Sequence, residues 1–413
     1  MSSFSIPLTG LEASSKALNT IANNLSNMNT TAFKSQSVTF SDLFYQQIGG
    51  NGAGDPLQVG AGTQVASTGT DFSQGSINET GNATDVALNG NGFFVVQNGS
   101  DTEYTRDGNF SLTSDGALTT QSGQQVMGYP VLNGAVNTNA PLAPIQIPIG
   151  AVEQPAPTTT MSMTTNLDSG SAVNTMVPAQ ITVYDSLGVS HVATVDFTNT
   201  GLNAQGDGTW SYSISLPAGD ATGGANQTGN LTFDQNGNLI APAANASGIT
   251  FTGLSDGAND LNVTWDLYGA NNKPTITQVA SASAVSATTQ NGYASGEYSG
   301  FTIDSDGLVS AEFSNGQTTP VGQLALASIT NQQGLVIAAG NNYQTTLASG
   351  AASVGVAGAA GLGTMQDEAL EQSNVDISTE FSDLIVAQQA FEASSKAITT
   401  FDSISQETIN MIH

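Results

Sequence analysis

Cysteine is absent from this chain of 413 residues, and basic side chains are rare. Without cysteine the chain forms neither disulfides nor thiolate metal sites. Lys and Arg number 5 against 33 Asp and Glu, for a formal net charge of −28 at pH 7. Because nucleic acids and anionic membrane surfaces are bound by basic patches, this charge argues against both as partners.

Long apolar runs are absent as well. No stretch of about 18 apolar residues occurs, so we expect no membrane insertion. The first basic residue is Lys16 and no apolar run follows it, which differs from the pattern of a cleaved signal peptide. Few lysines together with abundant Gly, Thr, Ser and Asn are typical of extracellular bacterial surface proteins. We therefore expect export by a route that cleaves no signal peptide.

Side chains suited to metal binding are few. His191 and His413 are the only histidines. His191 lies beside a predicted strand, and we expect it to be a surface or turn residue. Without cysteine or a nearby cluster of carboxylates, it makes a poor metal site. Residues 304–307, Asp-Ser-Asp-Gly, resemble the start of a calcium loop but lack its continuation, so they favour a hairpin turn.

The motifs of common enzyme classes are also absent. The sequence contains no G-x-S-x-G elbow, no phosphate-binding loop and no dinucleotide fingerprint. We therefore expect no enzyme activity, no catalytic residue, no cofactor and no bound metal. A secreted carbohydrate-active hydrolase stays open as an alternative, because two carboxylates distant in sequence can converge in space.

A long amphipathic helix is predicted at the C-terminal end, over residues 374–413. Apolar residues recur at a spacing of seven, with a second apolar row beside them, and neither Gly nor Pro interrupts the segment. Asp376 has the character of an N-cap. The residues of this apolar stripe are Phe381, Leu384, Ile385, Phe391, Ile398, Ile409 and Ile412.

A second amphipathic helix is predicted near the N-terminus, over residues 9–29. Thr9 and Glu12 have the spacing of a capping box, which would start the helix at Thr9. The hexapeptide EASSKA occurs in both terminal segments, at 12–17 and 392–397. The apolar residues follow a heptad pattern and are Leu11, Leu18, Ile21, Leu25 and Met28.

The burial of these two apolar stripes has two possible explanations. Each helix could dock on the protein's own core. Alternatively, the helices pair and then pack against copies from neighbouring molecules, because two helices alone make little core. The pattern leaves both possibilities open. In the second case, the twelve stripe residues form an assembly interface.

Short strands are predicted for the middle of the chain. Three hairpins are expected at Asp115-Gly116, Asn236-Gly237 and Asp306-Gly307, where both residues of each pair would take positive φ angles. Trp210 and Trp265 are expected in the core of a β-rich block. Residues 280–289 are rich in Ala, Ser and Thr and are expected to form a linker.

These signals together predict a mainly β fold with α-helical termini. The N- and C-terminal helices pair in a coiled-coil-like manner, and two β-rich domains are nested, one inserted in the other. The expected divisions are a helical assembly domain at 1–30 with 372–413, a connecting segment at 31–73 with 358–371, a discontinuous inner β domain at 74–157 with 286–357, and an inserted outer β domain at 158–285.

Three motifs resemble signatures of the bacterial flagellar rod and hook protein family. Their occurrence in this order makes the resemblance far more specific than any one of them. The first motif, residues 21–34, includes Asn23, Asn24, Asn29, Thr30, Phe33 and Lys34. The second, residues 104–110, includes Thr105, Arg106, Asp107, Gly108 and Phe110. The third begins at residue 373 with Asn374, Val375 and Asp376 and continues to residue 391.

Further segments resemble the outer domain of the hook members of this family. They are residues 183–188, 292–296 and 314–317, and the rod members lack an insert such as 160–285. The sequence departs from the family at Gln389, where relatives often carry a basic residue. That departure puts any specific ion pair at this position in doubt.

The resemblance implies a structural subunit that self-assembles into a flexible curved tube. Such a tube acts as a universal joint that passes motor torque to the filament. The implied partners are copies of the same chain, the distal rod protein, the hook cap protein, the hook–filament junction proteins and the flagellar type III export apparatus. A distal rod protein of the same family and a secreted surface adhesin stay open as alternatives.

Overall fold

The computed structural model describes residues 5–43, 46–50, 56–269 and 272–411. The chain forms two compact units. Unit 1 comprises residues 1–149, 300–311 and 318–413, and unit 2 comprises residues 150–299 and 312–317. In the part of the chain that the structure describes, neither helix has the length and hydropathy required to span a bilayer.

The two predicted terminal helices are present. Helix α1 spans Ser5–Ser26 and helix α2 spans Ile377–Met411. The Asp376 carboxylate accepts a hydrogen bond from the Thr379 amide at 2.8 Å, which confirms the expected N-cap of α2. The capping box expected at Thr9 is wrong. The helix begins before this residue, and the Thr9 hydroxyl donates to the Ile6 carbonyl at 2.8 Å within the helix.

Short strands make up most of the rest of the chain. The first thirteen are β1 Gln36–Asp42, β2 Gln46–Gly50, β3 Pro56–Val59, β4 Thr63–Thr70, β5 Ile77–Glu79, β6 Val86–Asn89, β7 Phe93–Asn98, β8 Asp101–Thr105, β9 Phe110–Leu112, β10 Leu118–Thr120, β11 Gln125–Leu132, β12 Ala135–Val136 and β13 Ala143–Pro144. Twelve more follow: β14 Val152–Glu153, β15 Thr160–Asp168, β16 Met176–Tyr184, β17 Ser190–Leu202, β18 Gly208–Ser215, β19 Ala221–Ala225, β20 Thr228–Phe233, β21 Leu239–Ala241, β22 Ala246–Leu254, β23 Leu261–Asp266, β24 Ile276–Val279 and β25 Ala284–Gln290.

The remaining strands return the chain to unit 1. They are β26 Gly296–Ile303, β27 Leu308–Phe313, β28 Thr318–Leu324, β29 Leu326–Ser328, β30 Val336–Ala338, β31 Asn342–Gln344, β32 Ser353–Gly355, β33 Thr364–Asp367 and β34 Ala369–Glu371. A 3-10 helix spans Gln332–Gly334.

The core of unit 1 is an antiparallel sheet with the strand order β28-β11-β7-β8-β31-β30. Strand β7 is apolar and buried over its first four residues, as its continuous apolar run predicts. Aromatic rings pack on this sheet, with Phe93 lying 5.8 Å from Phe72 and 5.7 Å from Tyr343 between ring centroids. Strands β1 and β4 form a separate hairpin, against which α1 packs.

Unit 2 is a sandwich of two sheets. One sheet has the order β16-β17-β18-β20-β21, and the other has the order β19-β22-β23-β15-β24 with β25 also paired to β15. Both expected core tryptophans, Trp210 and Trp265, are fully buried between the sheets. The Trp265 ring meets Tyr212 edge-on, with the centroids 5.1 Å apart.

The three predicted hairpin turns lie where expected, but their backbone differs. Within each predicted pair the glycine alone adopts a positive φ: 88° at Gly116, 82° at Gly237 and 78° at Gly307. The residue before each glycine does not, so the expectation of paired positive φ angles is wrong. In two of the turns an aspartate at the start of the turn holds the loop. Asp234 accepts hydrogen bonds from two later backbone amides, and Asp304 does the same.

Two further expectations are wrong. The 280–289 segment is not a linker throughout, because β25 pairs antiparallel with β15. Its side chains are mostly exposed, so its sequence lacks the alternation of apolar and polar residues that indicates a half-buried strand. His191 is not a surface residue, since it lies on β17 with only 4% of its surface exposed. Long-range strand pairing, which local composition does not encode, decides both cases.

The mainly β fold with helical termini is confirmed, and the two helices pair with each other. The helices cross antiparallel. Gly10 in the first half of α1 lies beside Ser394 at the middle of α2, while Asn24 near the end of α1 bonds Glu380 near the start of α2.

Gly108 tests the close packing of unit 1. A Cβ added at Gly108 would collide with the Val86 carbonyl and contact the Phe94 ring at 3.2 Å. We expect Gly108→Ala to destabilise unit 1 by about 1–3 kcal/mol. Both tryptophans belong to unit 2, so tryptophan fluorescence reports the unfolding of unit 2 alone. The unfolding of unit 1 is the transition that circular dichroism detects without a change in tryptophan fluorescence.

The matched control is Gly300→Ala. A Cβ there would meet open space, and Gly300 does not need a positive φ. We expect no shift of either transition in this variant. An unshifted unit 1 transition in Gly108→Ala would show that the backbone around Val86 relaxes to admit the methyl group.

Candidate assembly surface

Asn24 is one of two residues of α1 that are buried. Its side chain donates to the Gln36 carbonyl and to Glu380, each at 2.8 Å, and accepts a bond from the Gln36 amide at 2.9 Å. One asparagine therefore joins α1, β1 and α2. Since a buried amide must satisfy both its donors and its acceptor, this arrangement fixes the register of the two helices.

A buried ion triad lies at the base of the helices. Lys34 Nζ is 2.6 Å from Glu371, and Arg106 Nε is 3.2 Å from the other oxygen of the same carboxylate. All three side chains are at most 4% exposed. Burial lowers the pKa of Lys34, although the hydrogen bond and charge of Glu371 oppose this shift. We call this group the ion triad.

Backbone groups complete the ion triad. Lys34 also donates to the Ser73 carbonyl at 2.7 Å, and Arg106 donates to two carbonyls of the turn before β7, at 2.7 and 2.9 Å. The Gly75 amide donates to Glu371 at 2.8 Å. These bonds satisfy donors that would otherwise be buried without partners. The triad therefore joins the segment after α1, the second motif and the strand that precedes α2.

Asn374 makes a second connection between the ends of the chain. Its side chain accepts a hydrogen bond from the Ser35 amide at 2.8 Å and donates to the Asp71 carbonyl at 2.9 Å and to Ser73. Asp376, two residues later, caps α2. Val375 between them is half-buried.

The other residues of the first motif shape the end of α1. The Asn27 side chain donates to the carbonyl of Asn23 at 2.9 Å, and the Thr30 hydroxyl donates to Asn27 at 3.1 Å. Asn29 is exposed and Phe33 is half-buried. These bonds end the helix and direct the chain toward the ion triad.

The second motif supports the packing of unit 1. Thr105 is fully buried and donates to the Asn341 carbonyl at 3.2 Å. The Phe110 ring meets the Phe94 ring edge-on, with the centroids 5.2 Å apart. Asp107 accepts the Asn109 amide at 3.0 Å, and burial raises the pKa of Asp107 to about 6. These three residues of the motif therefore act in folding rather than at an exposed surface.

The predicted stripe residues divide into three groups by exposure. Phe381, Ile385 and Ile409 are exposed at 48%, 52% and 57%. Ile412 lies outside the described residues. The others are half-buried and comprise Leu11, Leu18, Ile21, Leu25, Met28, Leu384, Phe391 and Ile398. Ala387 is the buried residue of α2 within its described span.

An open groove of about 900 Å³ runs between α1, α2 and β1. Small residues such as Gly10, Ala13 and Ala387 line it, together with Phe40 and Val386. Small side chains at the crossing allow the helix backbones to approach. The groove leaves part of the apolar surface of both helices uncovered.

Sequence reasoning missed Glu371 and Ala32. The Glu371 carboxylate pairs with both cations of the ion triad. The Ala32 amide donates to the Glu371 carbonyl at 2.8 Å. Ala32 takes a positive φ of 53°. One signal was available for Glu371: two of the five basic residues lie in family motifs, and a buried cation requires an acidic partner.

We expect Glu371→Gln to destabilise unit 1 by about 3–5 kcal/mol, because the two cations lose their shared counter-charge. Denaturant unfolding followed by circular dichroism measures this. Glu79→Gln is the matched control, since Glu79 is exposed on β5 directly opposite Ala369 of β34. Equal stability of the two variants would show that water or rearrangement compensates the lost charge.

Asp107 gives a pH prediction. Burial raises the pKa of Asp107 in the folded protein to about 6, above the ordinary value of 3.8. The folded state therefore binds more protons between about pH 4 and 6, and this residue lowers stability as pH rises through that window. We expect Asp107→Asn to stabilise unit 1 by about 1–3 kcal/mol at pH 7 and to have little effect at pH 3.5. Parallel pH profiles of the two proteins would contradict the raised pKa.

Four sequence families match successive parts of the chain. Residues 7–34 match the family described as flagella basal body rod protein, and residues 87–165 match the flagellar hook protein FlgE/F/G D1 domain. Residues 158–293 match the flagellar basal body protein FlaE D2 domain. Residues 366–411 match the flagellar basal body rod FlgEFG protein C-terminal domain.

Similar proteins cover nearly the whole chain. The flagellar hook protein FlgE of Salmonella typhimurium is 35% identical over 424 residues, covering 99% of this chain and 100% of that protein. The flagellar hook protein FlgE of Escherichia coli K12 is 34% identical over 422 residues, covering 99% of both chains. The flagellar hook protein FlgE of Treponema pallidum is 30% identical over 460 residues, covering 98% of both.

A solved structure shares the fold. The crystal structure of Helicobacter pylori flagellar hook protein FlgE2 matches with a TM-score of 0.53 and 15% identity, covering 71% of this chain and 100% of that one. At this identity the likeness concerns the fold alone. The resemblance carried by the three motifs is confirmed by the full-length relatives, and the chain belongs to the flagellar hook protein family, whose members are structural subunits of the hook.

Proposed function

We propose that this chain polymerises through its terminal helices into the curved tube of the hook and acts there as a universal joint. The observation that carries the proposal is the apolar surface of α2. Apolar side chains are exposed along the helix, at Phe381, Ile385, Val386 and Ile409. Exposed apolar patches of this kind mark contact surfaces in soluble proteins.

The pairing of α1 with α2 supports the same proposal. The pair covers part of each apolar stripe and leaves the groove beside β1 open. A neighbouring copy that supplied apolar side chains to this surface would bury area that one molecule cannot bury. Burial of about 1,000 Å² or more would be in the range of a stable protein contact.

The low fraction of charged residues suits a joint whose contacts change as it rotates. Only 9% of residues are charged, so few ions lose their hydration each time a contact forms. Burying ions carries a large desolvation cost, whereas neutral polar surfaces separate and rejoin with smaller barriers. The outer surface of unit 2 is the proposed place of such contacts.

The proposed partners follow from the family. They are further copies of this chain, the distal rod protein, the hook cap protein and the hook–filament junction proteins, with export through the flagellar type III apparatus. The proposed location is the extracellular hook, reached without cleavage of a signal peptide. The domain bounds and the assembly role of the stripe residues are part of the same proposal.

The alternative functions receive less support. The full-length relatives are named as hook proteins, which does not favour a distal rod protein. Nothing in the comparisons favours an adhesin.

Ile385→Asp tests the assembly surface. Ile385 is 52% exposed, so we expect the substitution to leave both unfolding transitions unchanged while it abolishes tube formation. Electron microscopy of purified full-length protein, seeded with fragments of wild-type polymer, measures assembly. Seeding removes the requirement for a nucleation factor.

Gln388→Glu is the matched control for the added charge. Gln388 is exposed on the same helix, and the substitution adds a negative charge without removing an apolar side chain. We expect tubes from this variant. Tubes from Ile385→Asp at the wild-type yield would exclude this part of α2 from the assembly contacts.

A further inference from the structure

Four titratable side chains of unit 2 come together from four separate segments. Asp185 follows β16, His191 lies on β17, Asp220 precedes β19 and Asp256 follows β22. The first two belong to one sheet of the sandwich and the last two to the other. The cluster therefore lies where the two sheets meet, and it lies outside the assembly surface described above.

The ring of His191 is enclosed by carboxylates. Its Nδ1 is 3.0 Å from Asp220, and its Nε2 is 2.9 Å from Asp185 and 3.8 Å from Asp256. The ring is 5% exposed and the Asp185 side chain is fully buried. One carboxylate oxygen of Asp185, one of Asp256 and one ring nitrogen of His191 all lie within 4.8 Å of one another.

Backbone amides bond one carboxylate oxygen of Asp185 and one of Asp256, and the other oxygen of each faces the His191 ring. Asp185 Oδ1 accepts the amides of Leu187 and Val189 at 2.8 and 3.0 Å, so its Oδ2 faces His191. Asp256 Oδ1 accepts the Ala258 amide at 3.0 Å, and its Oδ2 faces the same nitrogen. Two carboxylate oxygens are thus fixed toward one imidazole nitrogen before any ligand arrives.

Backbone and side-chain bonds also hold the segments to each other. The Ser255 amide donates to the Asp220 carbonyl at 3.0 Å, next to Asp256. The Asn259 amide donates to the Ser186 hydroxyl at 2.9 Å, which joins the turn after β16 to the loop after β22. The two loops that carry the converging oxygens therefore hold a common position.

The charge of the cluster points to a missing cation. Lys273 is the only Lys or Arg in unit 2. Among the described residues, the ion pairs of Asp185, Asp220 and Asp256 are all with His191. Three carboxylates therefore share one imidazole, so two negative charges stay uncompensated when all three carboxylates are ionised and the ring is protonated. Partly buried negative charge of this size favours a bound cation.

We propose that His191 Nε2, Asp185 Oδ2 and Asp256 Oδ2 bind a divalent transition-metal ion of the zinc class that joins the two sheets of unit 2. The Nδ1–H group of His191 donates a hydrogen bond to Asp220, which leaves the lone pair of Nε2 for the ion, as carboxylates do behind metal-bound histidines. Zinc–ligand distances of about 2.0–2.2 Å place tetrahedral ligands about 3.4 Å apart. The observed separations of 2.9 and 3.8 Å bracket that value.

The donor set selects the ion. An imidazole nitrogen with two carboxylates suits Zn²⁺ and its neighbours, whereas Ca²⁺ and Mg²⁺ prefer oxygen ligands alone. The fourth position is accessible to water, because the Asp256 and Asp220 side chains are 23% and 31% exposed. The same exposure gives the ion an entry path. The proposed role is structural, since no further nucleophile or base of the cluster is left free.

Metal titration of untagged, chelator-treated full-length protein tests this site. The titrants are ZnCl₂ and CoCl₂, with millimolar MgCl₂ present to suppress weak binding by a chain of charge −28. We expect one saturable Zn²⁺ per chain and a visible Co²⁺ spectrum of low-symmetry, four-coordinate type. We also expect Zn²⁺ to raise the melting temperature seen by tryptophan fluorescence by about 2–4 °C or more, because both tryptophans lie in unit 2.

Asp256→Asn removes one ligand at a partly exposed position, so folding should survive. We expect it to weaken Zn²⁺ binding by more than about tenfold, and Asp220→Asn to weaken it by about 10–100-fold. Asp234→Asn is the control, because Asp234 holds a similar turn of unit 2 through two backbone amides outside the cluster. This variant should bind as the wild type does.

Two results would overturn the proposal. The first is the absence of saturable Zn²⁺ binding by folded wild-type protein, which would leave His191 as a cation held between aspartates. The second is equal affinity in the wild type and Asp256→Asn, which would place the ion elsewhere, for example at His413. Neither result bears on polymerisation, so this inference stands or falls apart from the proposed function.

Discussion

The ion triad is the interaction on which the two ends of the chain depend. Lys34, Arg106 and Glu371 are far apart in sequence, yet their charged groups meet in a buried place. A buried charge is tolerated only when a partner and hydrogen bonds compensate its lost hydration. Both helices therefore begin or end close to one fixed point of unit 1: α1 ends shortly before Lys34, and α2 begins shortly after Glu371.

The helices themselves are weakly held beyond that point. Asn24 and the small residues at the crossing set how α1 and α2 meet. Most residues of α2 are exposed, from its first turn onward, and its last described turns are exposed throughout. This division, with rigid bonding at the base and uncovered apolar surface along the helices, is what a subunit of a polymer requires.

Local patterns predicted the helices, the N-cap at Asp376 and the sites of the hairpins, because each depends on residues within one or two turns of one another. They failed where a local signal had two meanings. Thr9 has capping-box spacing, but its hydroxyl bonds the Ile6 carbonyl inside a helix that begins earlier. Strand β25 has neither alternation nor β-branched bulk over most of its length, and only its pairing with β15 makes it a strand.

The sequence by itself determined the fold class, the terminal helices and the family, since these follow from periodicity and from motifs in a fixed order. The sequence did not identify Glu371 as the partner of Lys34 and Arg106, although these two are among the chain's five basic residues. It also misplaced His191, whose neighbours Asp220 and Asp256 come from the other sheet of the sandwich. Only the tertiary structure decides such groupings, because charge and ligand sites depend on distances of a few ångströms between segments that strand pairing, not sequence proximity, brings together.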